Sequence, residues 1–197
     1  MKKTLLLSLL ASAFALPASA ALKQGDSAPD FTIPASFAGK ASQYSLKEQL
    51  KKGPVVVYFY PSAYTRGCNL QAHTFSVNSD KFSAAGASVI GVSLDNISRL
   101  NEFSADPEYC AGKVAVGSDS EGKVAKAFDL NVREAAEGKV DTRGNSIDHG
   151  FAERTTFVIT PDGKIAATIS DLTPAENVAK SLETVQKIAA EKPAKKS

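Results

Sequence analysis

The chain of 197 residues has little sulfur, no tryptophan and no charge bias to exploit. Two cysteines, Cys68 and Cys110, are too few for a disulfide-stapled mini-scaffold or a four-cysteine zinc site. Two separated histidines, His73 and His149, add no convincing metal spacing. No Gly-rich nucleotide loop follows a strand, and no Gly-x-Ser-x-Gly elbow occurs, so no cofactor and no metal are expected. The sole methionine is Met1. A long apolar run is also missing. The longest, Leu5 to Leu16, covers about twelve residues, where a membrane span needs roughly twenty.

That run has its own meaning. Lys2 and Lys3 precede it, and Ala18-Ser19-Ala20 follows as a small-residue cleavage site. Residues 1–20 therefore read as a secretory signal peptide cut after Ala20, which places the mature protein in the periplasm or outside the cell. No paired arginines precede the run, and no cysteine follows Ala20 to take a lipid. Without Lys2 and Lys3 the basic groups equal the 21 acidic ones. A neutral mature chain gives no electrostatic case for nucleic acid or a membrane surface. In an oxidising compartment two cysteines are either a structural bridge or a redox pair.

What is present is one α/β pattern over residues 21–190, without repeat or linker, and a basic tail at 191–197. Ser45-Leu46-Lys47-Glu48 is a capping box that starts a short helix. Val55 to Tyr60 is an unbroken β-branched and aromatic run, the mark of a buried central strand. A helix carrying Cys68, Phe75 and Phe82 follows, then a second buried strand from Ser88 to Leu94. Asn96 caps a helix to about Ala105, Val114 to Val116 is a short strand, and Ser120 opens a helix ending near Phe128. Residues 131–150 have no period and three glycines, and read as a long surface loop. Thr155 to Ile159 and Lys164 to Ile169 form a hairpin around Pro161-Asp162-Gly163. Thr173-Pro174-Ala175-Glu176 caps a last helix whose apolar stripe is Val178, Leu182, Val185 and Ile188. The order predicts a central sheet with helices on both faces and an antiparallel hairpin at one edge.

Chemistry concentrates where the Val55–Tyr60 strand leaves the sheet. Cys68 stands where the next helix begins. A helix N-terminus carries partial positive charge and free N–H groups, and both favour thiolate over thiol. Thr65, one turn earlier, has a hydroxyl within reach of the sulfur or of a bound oxygen ligand. Pro61 offers no N–H and would shield the sulfur from water. A small buried cysteine packing as a hydrophobe is the alternative.

Pro61-x-x-x-Thr65-x-x-Cys68 after an apolar strand resembles the active-site motif of the peroxiredoxins. Ala28-Pro29-Asp30-Phe31 resembles their N-terminal segment, and Arg154-Thr155-Thr156-Phe157-Val158-Ile159 with Asp162-Gly163-Lys164-Ile165 their late strand. Tyr60-Pro61 and Gly67-Cys68 look most like the Q subgroup, the bacterioferritin-comigratory type. The resemblance covers roughly residues 24–190. It implies a thioredoxin-like fold, thiol-dependent reduction of hydrogen peroxide and organic hydroperoxides, and a thioredoxin-like or small-thiol reductant. It also implies a monomer. Cys68 would be the peroxidatic nucleophile, Thr65 and the Cys68 N–H would orient peroxide, and Arg154 would hold the thiolate and stabilise the departing oxygen. Arg66 is a weaker candidate, more in keeping with an exposed side chain.

One position departs from the pattern. Many Q-type members place a resolving cysteine five residues after the first, where this chain has His73. Others carry it in the helix after the second strand. Cys110, just past Asp106-Pro107, resembles that arrangement, and a resolving role is implied for it. A one-cysteine enzyme with Cys110 inert is the other possibility. Outside this family, a disulfide oxidoreductase would need a Cys-x-x-Cys that the chain lacks. A non-catalytic binding domain with a structural Cys68–Cys110 bridge also remains open.

Overall fold

In the computed structural model, which describes residues 21–191, the centre is a seven-stranded mixed sheet flanked by helices. The expected signal peptide and all but Glu191 of the basic tail lie outside the described residues. The predicted central strand is β3 (Val55–Phe59), buried at every position. It runs parallel to β4 (Ser88–Ser93) and antiparallel to β8 (Thr155–Ile159). β5 (Ala115–Ser118) extends the parallel part, and β9 (Ile165–Ile169) closes the hairpin at one edge, as expected.

Side chains along β3 alternate between two cores, as a strand's period of two requires. Val55, Val57 and Phe59 face one cluster. It is closed by α1 (Leu46–Leu50), where Ser45 caps Glu48 N–H as the capping box predicted, and by α5 (Lys123–Ala127). Val56, Tyr58 and Tyr60 face the other. That face carries α2 (Arg66–Val77), α3 (Ser79–Ala84), α4 (Ile97–Ala105) and α6 (Pro174–Glu191). Tyr58 stacks on Phe75 with ring centroids 4.5 Å apart. Its ring covers Gly91, where a Cβ would come within 2.4 Å of it. Any side chain at that position would force the end of the Tyr58 ring to shift. Truncating a buried aromatic such as Phe75 to alanine would cost about 3–5 kcal/mol.

Two helix readings need correction, and a second hairpin and the anchoring of one loop are additions to the sequence pattern. A second hairpin, β1 (Thr32–Phe37) and β2 (Lys40–Ser45), covers the other edge of the sheet. Its turn uses Ala38 and Gly39, both at positive φ. The helix read as continuous from Cys68 through Phe82 is two helices, broken at Asn78. The helix expected from Ser120 begins at Lys123, because the Asp119 carboxylate caps the Val124 and Ala125 N–H groups from outside. Residues 131–150 are a long and mostly exposed loop, as expected, but one pinned to the body of the domain. β6 (Val132–Arg133) pairs with β7 (Phe151–Ala152), and Asp141 and Ile147 are buried. Among the described residues no helix is long and apolar enough to cross a membrane, and no three His, Cys, Asp or Glu residues gather to hold a metal.

Candidate active site

The C-terminal ends of β3 and β4 lie side by side, and the chain leaving β3 crosses that edge as Tyr60 to Thr65 before entering α2. This is where parallel sheets place ligand sites. Thr65 is the extended N-cap residue of α2, which puts Cys68 in the first turn among N–H groups that lack an intrahelical partner. Cys68 is 2% exposed. Arg154, just before β8, reaches across and donates from Nη2 to Cys68 Sγ at 3.2 Å. The sequence motif and the distant arginine thus meet at one atom. Arg66 is exposed, as expected.

Arg154 does not stand alone. It also donates to Gln71 Oε1, one turn further along α2. Gln71 Nε2 donates to Asn177 Oδ1 at 3.1 Å, and Thr156 Oγ1 donates to the same atom at 2.7 Å. Asn177 Nδ2 in turn donates to the Ile169 carbonyl. A buried amide chain therefore fixes the guanidinium from α2, α6 and the sheet together. Gly67 makes the approach possible, since a Cβ there would sit 3.3 Å from Arg154 Nη2. Sequence reading missed Gln71 and Asn177.

The Thr65 hydroxyl donates to the Ser62 carbonyl at 2.9 Å and not to the sulfur, contrary to one expectation for it. Its lone pairs remain available as acceptors. Tyr64 holds a left-handed backbone, φ 59°, a conformation that costs a non-glycine residue about 1–2 kcal/mol. Its carbonyl accepts from both Thr142 N–H and Thr142 Oγ1 at 2.8 Å. The Arg143 guanidinium lies 3.3 Å from the centre of its ring. Burial pushes the Tyr64 hydroxyl up to about 12.

Below this loop sits Asp95, fully buried and absent from the sequence-based list. Its carboxylate accepts from Ser62 Oγ (2.9 Å), Ala63 N–H (2.7 Å), Ser93 Oγ (2.7 Å) and His149 Nε2 (2.8 Å). Arg99 Nε lies 2.8 Å away as an ion pair, and Arg99 Nη2 also reaches Asp141 at 2.7 Å. Burial opposes the charge, but the donors, His149 foremost, outweigh it and hold Asp95 below the usual carboxylate range.

Cys110 follows α4 in a turn and is 0% exposed, packed in the same core cluster as Cys68. Both cysteines are free. Burial pushes the Cys110 thiol far up, and Asp106 adds to the effect. His73 is exposed and its Nδ1 meets the Glu108 carbonyl at 2.9 Å, tying α2 to the segment that carries Cys110.

A thiol at a helix start beneath a buttressed arginine, on a mixed sheet of this order, defines a thioredoxin-like thiol site. The model of the AhpC/TSA family matches residues 24–168. Peroxiredoxin Bcp of Escherichia coli is 31% identical over 150 residues, 76% of this chain and 86% of that protein. Among solved structures, the crystal structure of peroxidoxin BcpB from Mycobacterium tuberculosis matches with a TM-score of 0.70 and 30% identity, covering 85% of this chain and 98% of that one. The bacterioferritin comigratory protein of Xanthomonas campestris, whose structures are described for its alkyl peroxide reduction activity, matches with a TM-score of 0.63 and 25% identity over 80% of this chain and 92% of that one. The chain belongs to the AhpC/TSA family of peroxiredoxins, whose chemistry is thiol-dependent peroxide reduction, and has the family's thioredoxin-like fold.

Proposed function

We propose that Cys68 is the peroxidatic cysteine and that the protein reduces hydrogen peroxide and organic hydroperoxides. The Arg154 guanidinium 3.2 Å from Cys68 Sγ carries this reading. The thiolate attacks one peroxide oxygen. An S–O bond forms, the O–O bond breaks, and the other oxygen leaves as water or alcohol after taking a proton. Arg154 stabilises both the thiolate and the charge that develops on the leaving oxygen. Thr65 Oγ accepts from the peroxide hydroxyl, and the Cys68 N–H donates to it. Pro61, half-buried at the loop's start, limits the approach of water. Similarity to a protein described for alkyl peroxide reduction supports the organic substrates.

Cys68 sulfenic acid is then attacked by Cys110, an S–S bond forms and water leaves. A thioredoxin-like or small-thiol reductant restores both thiols. Cys110 lies within one core cluster with Cys68, which favours this route. Its complete burial and suppressed ionisation favour a second one, in which an external thiol resolves Cys68 directly. The protein acts as a monomer, exported by residues 1–20. Peroxide consumption with excess dithiothreitol tests the activity, and no consumption above background would leave a binding domain. Mass spectrometry after stoichiometric peroxide tests resolution: loss of two hydrogens with neither cysteine alkylated supports Cys110, and a freely alkylated Cys110 supports the external thiol. The mass of the mature protein tests export, which requires a chain beginning at Ala21.

A further inference from the structure

Residues 131–150 grip the loop before Cys68 through charged and polar contacts. Thr142 holds the Tyr64 carbonyl, Arg143 covers the Tyr64 ring, and Asp141 holds Arg99, whose Nη2 also donates to the Ala63 carbonyl at 2.9 Å. The deepest contact is His149 on Asp95. Its Nε2 meets Asp95 Oδ1 at 2.8 Å and its Nδ1 meets the Gly150 carbonyl at 2.8 Å. Both of these partners only accept, and Ser62 Oγ, 3.4 Å from Nε2, already donates to Asp95 at 2.9 Å. A neutral imidazole has one N–H and would turn a lone pair on one of them. The geometry therefore calls for the doubly protonated ring. Asp95 then passes the constraint on directly, because the same carboxylate holds Ser62 Oγ and Ala63 N–H.

We propose that charged His149, seated on the buried Asp95 carboxylate, is a positioning residue that locks the Pro61–Thr65 loop over Cys68, and that it releases this loop when it loses its proton.

The inference rests on Cys68 being the peroxide-reacting thiol. Thr65 and the start of α2 form the end of this loop, so its register sets where a peroxide sits against the sulfur. A displacement of well under an ångström there costs rate without unfolding the protein. The charges around His149 favour the imidazolium. Asp95 faces it from the β4–α4 turn, Arg99 and Glu102 lie on α4, and Asp141, Arg143 and Asp148 lie on its own loop. Arg99 and Arg143 are both committed to carboxylates. Burial works against the charged ring, but Asp95 and the Gly150 carbonyl outweigh it and raise the His149 pKa above the ordinary value. The sign follows: the lock is complete below the unfolded histidine value and is lost as pH rises through the higher folded one.

The test compares the second-order rate of Cys68 oxidation by hydrogen peroxide in wild type and His149→Gln from acid to alkaline pH. Glutamine keeps a donor for Asp95 but carries no charge. The wild-type rate should exceed the variant's by about 2- to 10-fold at pH 6, the scale of one ordinary net hydrogen bond, because glutamine keeps part of the contact. The ratio, which cancels every titration that the two proteins share, should fall toward one in alkali. In wild type alone, that falling step must share its midpoint with the His149 ring titration followed by NMR, and Asp95→Asn should lower that midpoint. A ratio that is flat with pH, even with a lower melting temperature for the variant, would make the contact merely structural and overturn the proposal while leaving Cys68 in its role. A kinetic step displaced from the NMR midpoint would also overturn it. A wild type inert to peroxide would remove both readings together.

Discussion

Cys68 and Cys110 are both cysteines in one core cluster, both almost sealed from water, yet they are set in opposite electrostatic surroundings. Cys68 has a guanidinium at 3.2 Å and a helix start beneath it. Cys110 has burial and the nearby charge of Asp106, both of which keep its proton on. The two sulfurs therefore differ in what each is buried against: a guanidinium for Cys68, a carboxylate's charge for Cys110. The supports differ too. Arg154 is fixed through Gln71 and Asn177 from three elements, whereas the Cys110 segment is a turn whose Ala111 and Gly112 both sit at positive φ. One region is preorganised. The other is held largely by hydrogen bonds within its own turn, from Tyr109 and Ala111 N–H to the Asp106 carbonyl, which can open locally.

The sharpest way to break the comparison is Cys68→Ser. The change is nearly isosteric, so the fold should persist while peroxide consumption falls to background. Residual activity above about a tenth of wild type would transfer the chemistry elsewhere, since a lost covalent nucleophile costs far more than one decade. Next in size is Arg154→Ala, which removes the guanidinium that donates to the sulfur. Cys68 oxidation should slow by about 10²- to 10³-fold, the range for one preorganised donor to developing charge. Stopped-flow mixing with hydrogen peroxide measures it, and a rate within a factor of two would leave Arg154 a structural residue.

Cys110→Ser asks the complementary question. The first reaction should survive, but Cys68 should persist as sulfenic acid and pass on to sulfinic acid under excess peroxide, gaining two oxygens in intact mass. If the variant is no more over-oxidised than wild type, Cys110 does not resolve. A disulfide needs Cα atoms roughly 4.4–6.8 Å apart. Closing that bond between the first turn of α2 and the turn after α4 should open the Asp106–Gly112 segment, the first turn of α2, or both, locally.

Cys68, Thr65 and Pro61 were legible in the sequence because strand, loop and helix start are contiguous there, and each has a local signal. Arg154 was legible only through the resemblance, although its place beside a strand start was plain. Asp95, Gln71 and Asn177 were not, because a buried polar contact leaves no periodicity. Gln71 and Asn177 are 106 residues apart. The Ser-x-Asp at the end of β4 was the one available hint, a carboxylate placed where an apolar strand stops. β2 was missed because it is a mostly exposed edge strand with Tyr44 its single fully buried residue. Residues 131–150 gave no period because polar contacts at Asp141, Thr142 and His149, and not an apolar face, tie them to the loop before Cys68 and to its support. Sequence pattern reports apolar burial well and ion-paired burial hardly at all.

The smallest expected effect lies at the contact that joins the two cysteine regions. His73 stands one turn beyond Cys68 on α2, and its Nδ1 meets the Glu108 carbonyl, two residues before Cys110. The ring is exposed, so the bond is worth only about 0.5–1.5 kcal/mol. That is still a useful amount if the Asp106–Gly112 segment must leave its place before Cys110 meets the sulfenic acid. His73→Ala removes a bond present in the closed form and absent in the open one, so opening becomes easier by that energy. The step from sulfenic acid to disulfide should accelerate by about 2- to 10-fold, as the same energy range requires. The initial peroxide reaction should be unchanged, because no contact joins His73 to the sulfur, Arg154 or Asp95. Over-oxidation at high peroxide should fall in proportion, since the two fates compete for one intermediate. Quenched-flow mass spectrometry separates the steps. An unaltered disulfide rate would show that the segment does not leave through this contact, and a slower one would mean that His73 guides Cys110 toward Cys68 instead of restraining it.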